Sequence, residues 1–202
     1  NGETVKLMCN FLYMCAGYYN YDKGYTPEFK GREQFTGDII HPQFWDEDLD
    51  YAGKDVIVIG SGATAVTLVP AMAEKANHVT MLQRSPTYMA SGASVDEITQ
   101  RLYKLFPKKL AHRLARWKAI LRSMYEYTLL RRYPEKSKEE LLNMIREEIR
   151  VDFDIDTHFT PAYDPWDQRF CLVPDSDLFH AINAGKVSIV TDHIDTFTEN
   201  GI

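Results

Sequence analysis

The chain has 202 residues, of which 45% are hydrophobic and 26% charged, with a net charge of −6. This is the composition of an ordinary globular domain that can bury a core. No run approaches the roughly 18–20 uninterrupted apolar residues of a membrane span, and Asn1-Gly2-Glu3-Thr4 resembles no secretory leader. Cys9, Cys15 and Cys171 have no CxxC spacing, so no disulfide framework, zinc ribbon or other metal site is expected, and the predicted setting is reducing and cytoplasmic. The acidic balance argues against nucleic-acid binding, which needs a basic face. The chain starts without methionine, and Glu199-Asn200-Gly201-Ile202 reads as a hairpin turn leading into another strand, so a fragment of a longer protein is expected.

In chain order, residues 4–15 are almost all apolar or β-favouring and stop at Gly17, which predicts a buried strand entering a loop. Tyr18, Tyr19, Tyr21 and Tyr25 follow in an irregular stretch. Asp55-Val56-Ile57-Val58-Ile59-Gly60 is short, β-branched and uninterrupted, the pattern of a central parallel strand covered on both faces. Ser61 to Ala65 then open an Ala/Leu/Val/Met helix running to about Ala76, and His78 to Leu82 completes a βαβ unit.

Between Val95 and Arg150 the spacing becomes helical, with Leu102, Leu105, Phe106, Leu110, Leu114, Trp117, Leu121, Met124 and Tyr125 at three- and four-residue intervals. Pro107 and Pro134 divide this segment into two or three helices. Its local charge is +6, against −12 for the rest of the chain, and Arg101 to Arg122 carries eight cations and no acid. Such a helix could lie on a membrane surface or an acidic partner. The leucine and tryptophan spacing favours a lid whose apolar stripe packs on the neighbouring domain. Residues 151–174 read as an aromatic loop, Asp175 to Ala184 as a short helix closed by Gly185, and Val187 to Val190 as a further parallel strand.

The clearest site is Gly60-Ser61-Gly62-Ala63-Thr64-Ala65, a GxGxxA motif between a strand and a helix. The first glycine permits the tight turn, the second lets backbone approach a pyrophosphate, and small Ala65 lets the helix pack close to the sheet. The next strand ends Gln83-Arg84-Ser85, where a site for NAD or FAD would carry an acid for the ribose hydroxyls. A guanidinium fork and a hydroxyl there suit a 2′-phosphate instead, so NADP(H) is the expected ligand.

Upstream lies Phe35-Thr36-Gly37-Asp38-Ile39-Ile40-His41-Pro42-Gln43-Phe44-Trp45-Asp46. Its spacing, FxGxxxHxxxWD, resembles the fingerprint of the Baeyer–Villiger monooxygenases, FAD- and NADPH-dependent class B flavoproteins in which it precedes the NADP-binding glycine motif. Within that family the chain most resembles the subgroup containing the bacterial thioamide-prodrug-activating monooxygenase. Cys15-Ala16-Gly17 resembles the crossing between the family's FAD and NADP domains, and the basic helices match its helical insertion. Asp164-Pro165-Trp166-Asp167-Gln168-Arg169 falls where the family carries the arginine that contacts the oxygenated flavin and the nicotinamide.

The resemblance implies an α/β fold, a Rossmann-like parallel sheet with a helical insertion. Residues 1–17 would be a strand and crossing segment from the FAD domain, 18–94 the first part of the NADP domain with the fingerprint at 35–46, 95–150 the insertion, and 151–202 the second part. The implied activity uses NADPH, FAD and O2 to oxygenate a ketone, or a sulfide or thioamide. Arg169 would be catalytic, stabilising negative charge, unless it is tied up in an ion pair with Asp164 or Asp167. Gln168 stands where many relatives have a lysine for the 2′-phosphate, leaving Arg84 most of that task. Phe35, Gly37, His41, Trp45 and Asp46 would position the interdomain linker. The family's FAD-holding GxGxxG is absent, so this chain is not expected to hold flavin alone. The competing readings are an N- or S-oxygenating flavin monooxygenase and a stand-alone NADP-binding module; a disulfide oxidoreductase lacks its cysteine pair.

Overall fold

A computed structural model of the chain describes residue 2, residues 4–15, residue 17 and residues 20–202. Their contacts divide into two compact units, residues 1–47 with 196–202, and residues 48–195. The second unit holds the regular elements β1 (Asp55–Ile59), α1 (Ala63–Ala73), β2 (His78–Gln83), β3 (Tyr88–Gly92), α2 (Glu97–Leu105), α3 (Lys108–Arg132), α4 (Pro134–Glu148), α5 (Ile155–Phe159), β4 (Phe170–Pro174), α6 (Asp177–Asn183) and β5 (Val187–Thr191).

The fold is α/β with all strand pairs in the second unit parallel. One sheet has the order β1-β2-β5 and a second pairs β3 with β4. The registers Asp55↔His78 and Val79↔Val187 run along the first sheet, and Tyr88↔Phe170 starts the second. The predicted β1, α1, β2, α6 and β5 are all present. Two further strands are present: β3, whose Tyr-Met-Ala-Ser-Gly is not a β-branched run and carries no strand signal, and β4, which lies within the stretch expected to be an aromatic loop. Helices α2 to α4 therefore form part of the crossover between two adjacent parallel strands, as a parallel pair requires.

The main core joins Val66, Val69 and Met72 of α1, Val79 and Met81 of β2, Ile145 of α4, Phe159 of α5, Val173 of β4 and Leu178, Phe179 and Ile182 of α6. Helix α1 is apolar almost throughout and buries Ala65, Val66, Val69, Pro70, Met72 and Ala73, as a helix held against a sheet must. Asp96 and Asp154 cap α2 and α5 by accepting the amides of Thr99 and Thr157 at 3.1 and 3.0 Å.

Three expectations are corrected. Among the described residues strand β1 is an edge strand, not a central one, and Ile57 and Ile59 remain 41% and 49% exposed. Residues 4–15 form no strand, and Val5, Leu7, Met8 and Phe11 are exposed, as are Cys9 and Cys15. A strand needs a partner for its backbone groups and a face to bury, and the described residues supply neither. The apolar stripe of α3 is also uncovered: Trp117, Leu121, Met124 and Tyr125 are 58–65% exposed, and Ala111 is the buried residue of the helix. The insertion docks instead through α4, which buries Ser137, Leu141 and Ile145. No helix among the described residues is long and apolar enough to cross a membrane.

At the carboxyl edge of the first sheet, the Gln83 amide nitrogen donates to the His158 carbonyl at 2.8 Å and to Thr191 Oγ1 at 2.9 Å, and Thr191 Oγ1 lies 2.8 Å from His158 Nδ1. The threonine oxygen accepts from Gln83, and its contact with Nδ1 runs in the direction the imidazole tautomer sets, since a hydroxyl can both accept and donate. Burial pushes the His158 pKa below its ordinary value, opposed by the nearby Asp154 carboxylate.

Phe179→Ala, which removes a ring packed edge-on against Phe159 at 6.0 Å, should cost about 3–5 kcal/mol in urea unfolding. Leu121→Ala on the open face of α3 should stay within about 0.5 kcal/mol. Because the folded state lowers the His158 pKa, its neutral form contributes stability that is complete above the unfolded value of about 6.5 and is lost as pH falls below it. Thermal melts at pH 7.5 and 5.5 should therefore show a larger acid-induced drop for the native protein than for His158→Gln.

Candidate functional site

Strand β1 ends at Ile59 and the chain turns at Gly60, whose φ of 134° favours glycine. Its amide donates to Leu82 O at 2.8 Å, which pins the turn beside the end of β2. A β-carbon on Gly60 would lie 4.0 Å from that of buried Ala65, so the helix packs directly under the turn, whereas a β-carbon on Gly62 would meet open space. Gly62 is the N-cap of α1 and provides no side-chain cap. The first-turn amides and the positive end of the helix dipole are thus available to an anion. Ala63 and Thr64 are exposed beside them.

Ser61 is 4% exposed and its hydroxyl faces inward, 2.9 Å from Thr87 Oγ1 and 3.3 Å from Ser85 O. These bonds draw the 83–87 segment against the glycine turn, so Ser61 can meet a ligand through its backbone alone. Arg84 and Ser85 are exposed there, and Arg84 forms no ion pair among the described residues. Gln83 differs from the expectation of ligand contact. It is 1% exposed, and its amide nitrogen is committed to His158 and Thr191, leaving its buried Oε1 without a hydrogen-bond partner.

The third contributor is the start of β4. Cys171 Sγ donates to Ser61 O at 3.8 Å, and burial pushes its thiol pKa up, as for an unreactive core thiol. Gln168 and Arg169, three and two residues earlier, are exposed. Neither acid considered as a partner for Arg169 holds it: Asp164 pairs with Lys138 at 2.7 Å and Asp167 pairs with Arg131. The surface at this edge thus carries backbone amides and two guanidinium groups without a competing carboxylate pair, which suits a polyanionic ligand.

The loop bearing Arg169 is a type II turn. Asp167 N donates to Asp164 O at 2.9 Å, Pro165 occupies the second position, and Trp166 has φ 70° where glycine is usual. A left-handed tryptophan costs about 1–2 kcal/mol, offset here by a parallel stack on Phe170 at 5.2 Å and an edge contact with Tyr127 at 5.9 Å. Tyr163 OH donates to Arg169 O at 2.9 Å, and Tyr88 OH donates to Tyr163 O at 2.7 Å. Burial of Tyr88 raises its pKa to about 12, against the pull of Lys138. Sequence reasoning missed these supports; the Pro165-Trp166 pair was the one local sign of a turn.

The fingerprint residues lie in the first unit. Phe35 meets Phe197 edge-on at 6.1 Å, and its ring covers Gly37, where a β-carbon would come within 2.7 Å of Phe35 Cζ. His41 Nδ1 accepts the amide of Gln43 at 3.2 Å, and the Gln43 side chain donates to Asn20 O at 2.8 Å. Trp45 is 39% exposed and, like Asp46, has an interaction partner. Thr36 binds Glu199 O through both its amide and its hydroxyl, at 3.1 and 3.0 Å, while Thr198 pairs with Gly201 across the expected terminal turn. The crossing at Cys15-Ala16-Gly17 includes Ala16, which lies outside the described residues.

The profile of the flavin-binding monooxygenase-like family matches residues 2–151. Over 203 aligned residues covering the whole chain, it is 53% identical to the FAD-containing monooxygenase EthA of Mycolicibacterium smegmatis, of which it covers 41%. It is 50% identical over 196 residues to the probable FAD-binding monooxygenase AlmA of Acinetobacter baylyi, covering 96% of the chain and 39% of that protein. The chain therefore spans about two fifths of the length of these relatives. Among solved structures, oxidized steroid monooxygenase bound to NADP superposes with TM-score 0.63 and 20% identity over 87% of this chain and 40% of its own. OTEMO in complex with FAD and NADP gives 0.64 and 20% over 89% and 42%. The structural likeness shows a shared fold, and on the profile match the chain belongs to the flavin-binding monooxygenase-like family.

Proposed function

We propose that the chain is the NADP(H)-binding part of a monooxygenase that uses NADPH, FAD and O2 to oxygenate a small ketone, sulfide or thioamide. The observation that carries this reading is the glycine turn with Arg84 drawn alongside it. The pyrophosphate would rest on the backbone of Gly60, Ser61 and Gly62 and on the first-turn amides of Ala63, Thr64 and Ala65, in the open space beyond Gly62. Arg84 and Ser85 would take the 2′-phosphate, with Gln168 as a neutral neighbour.

This fit is to one dinucleotide. The chain has a single glycine turn of this kind, so FAD would be held mainly by residues outside it. When bound, FAD supplies the centre at which O2 is activated. Arg169 would stabilise negative charge as oxygen is transferred, a task for a guanidinium that stays protonated throughout. Its freedom from Asp164 and Asp167 supports that role. The 50–53% identity to proteins named as FAD-containing or FAD-binding monooxygenases supports the same assignment.

Calorimetric titration should give tight binding of NADP+ and weak binding of NAD+. Arg84→Ala should weaken NADP+ binding about 10- to 100-fold with little change for NAD+; equal binding of the two by the native protein would overturn the role of Arg84. In the full-length flavoprotein, Arg169→Ala should lower the oxygenation rate about 100- to 1000-fold, measured as product formed per unit time, while NADPH binding persists.

A further inference from the structure

We infer that the helical insertion controls where Arg169 sits, with Arg131 and Tyr127 of α3 and Lys138 of α4 acting as positioning residues for the Asp164–Arg169 loop. This rests on the catalytic reading of Arg169. Each of these residues grips a different part of the loop. Arg131 pairs with Asp167 and Lys138 pairs with Asp164, the two ends of the type II turn, while Tyr127 meets the ring of Trp166 between them. The loop's other supports come from the second sheet, through the Tyr88–Tyr163–Arg169 hydrogen bonds and the Trp166–Phe170 stack.

The arrangement is more than loop docking. Trp166 keeps a positive φ that a bulky side chain disfavours, so its conformation must be held from outside, and two of the three grips come from a helix with little buried surface of its own. Helix α3 buries Ala111, and its apolar stripe faces outward. A shift of α3, such as cover of that stripe would produce, is transmitted through Arg131 and Tyr127 to the turn and so to Arg169, two residues beyond Asp167. Both acids of the turn are neutralised by the insertion, which leaves the Arg169 guanidinium for the reaction. If either grip is lost, the freed Asp164 or Asp167 becomes a competing partner within the same loop.

The test uses the full-length flavoprotein with NADPH, O2 and an oxygenatable ketone or sulfide, and reads product formed per NADPH consumed together with the KM for NADPH and the melting temperature. Arg131→Gln and Lys138→Gln should each lower product per NADPH about tenfold or more, because small misplacement of a reacting group is costly, with KM and melting temperature nearly unchanged. The charge swap Arg131→Asp with Asp167→Arg should restore most of the yield, a coupling that a surface role would not show. In an Arg169→Ala background, Arg131→Gln should have no further effect. Native yield in Arg131→Gln and Lys138→Gln, failure of the swap to restore, or an undiminished effect without Arg169 would each overturn the positioning role. Full oxygenation by Arg169→Ala would remove the catalytic reading, and the positioning role with it. A dead Arg169→Ala beside a native Arg131→Gln would remove the positioning role alone.

Discussion

The pairing of β3 with β4 is the constraint on which the site depends. Two parallel neighbours cannot be joined by a tight turn, so a long crossover must leave Gly92 and return at Phe170. That return fixes three things together. It sets Tyr88 opposite Phe170, it brings Cys171 against the carbonyl of Ser61, and it leaves the loop carrying Arg169 as the last piece of the crossover. Meanwhile Thr87, one residue before β3, is hydrogen-bonded to Ser61. The glycine turn of the first sheet and the arginine loop of the second are thereby held in one neighbourhood by a few buried polar contacts.

The electrostatics of that neighbourhood come as much from backbone as from side chains. An uncapped helix start, a glycine turn with room above it and exposed guanidinium groups favour negative charge from several directions. The acids closest in sequence to Arg169 are already matched by cations of the insertion. Individually, such half-exposed pairs contribute little to stability. Their effect is on which charges remain available at the edge of the sheet.

The βαβ unit with its GxGxxA turn could be read from sequence because its signals are local: a β-branched run, a glycine turn and an apolar helix within Asp55–Gln83. The position of Arg84 just past the end of β2 was legible for the same reason, since it follows from a fixed offset from that turn. Strands β3 and β4 were not, because their hydrogen-bond partners lie on opposite sides of the insertion and Tyr88–Gly92 has no strong β pattern of its own. Residues 4–15 show the reverse case, an apolar β-like run for which the described residues offer no neighbouring strand. The spacing of Leu110, Leu114, Trp117, Leu121 and Met124 identified a helix but could not tell a covered stripe from an open one. Gln83 sits one residue from Arg84, yet its side chain is drawn inward by His158 and Thr191, residues too distant in sequence for any motif to foretell.

The edge position of β1 has a consequence for handling the protein. The side of β1 that no described residue pairs with offers a ladder of main-chain donors and acceptors flanked by the exposed Ile57 and Ile59. An edge of that kind recruits whichever extended segment reaches it first. In a longer chain the recruit can be an intramolecular strand at high effective concentration. When the 202 residues are produced by themselves, the same edge and the exposed apolar run at residues 4–15 are open to other copies, which makes edge-to-edge association the expected liability of the isolated chain.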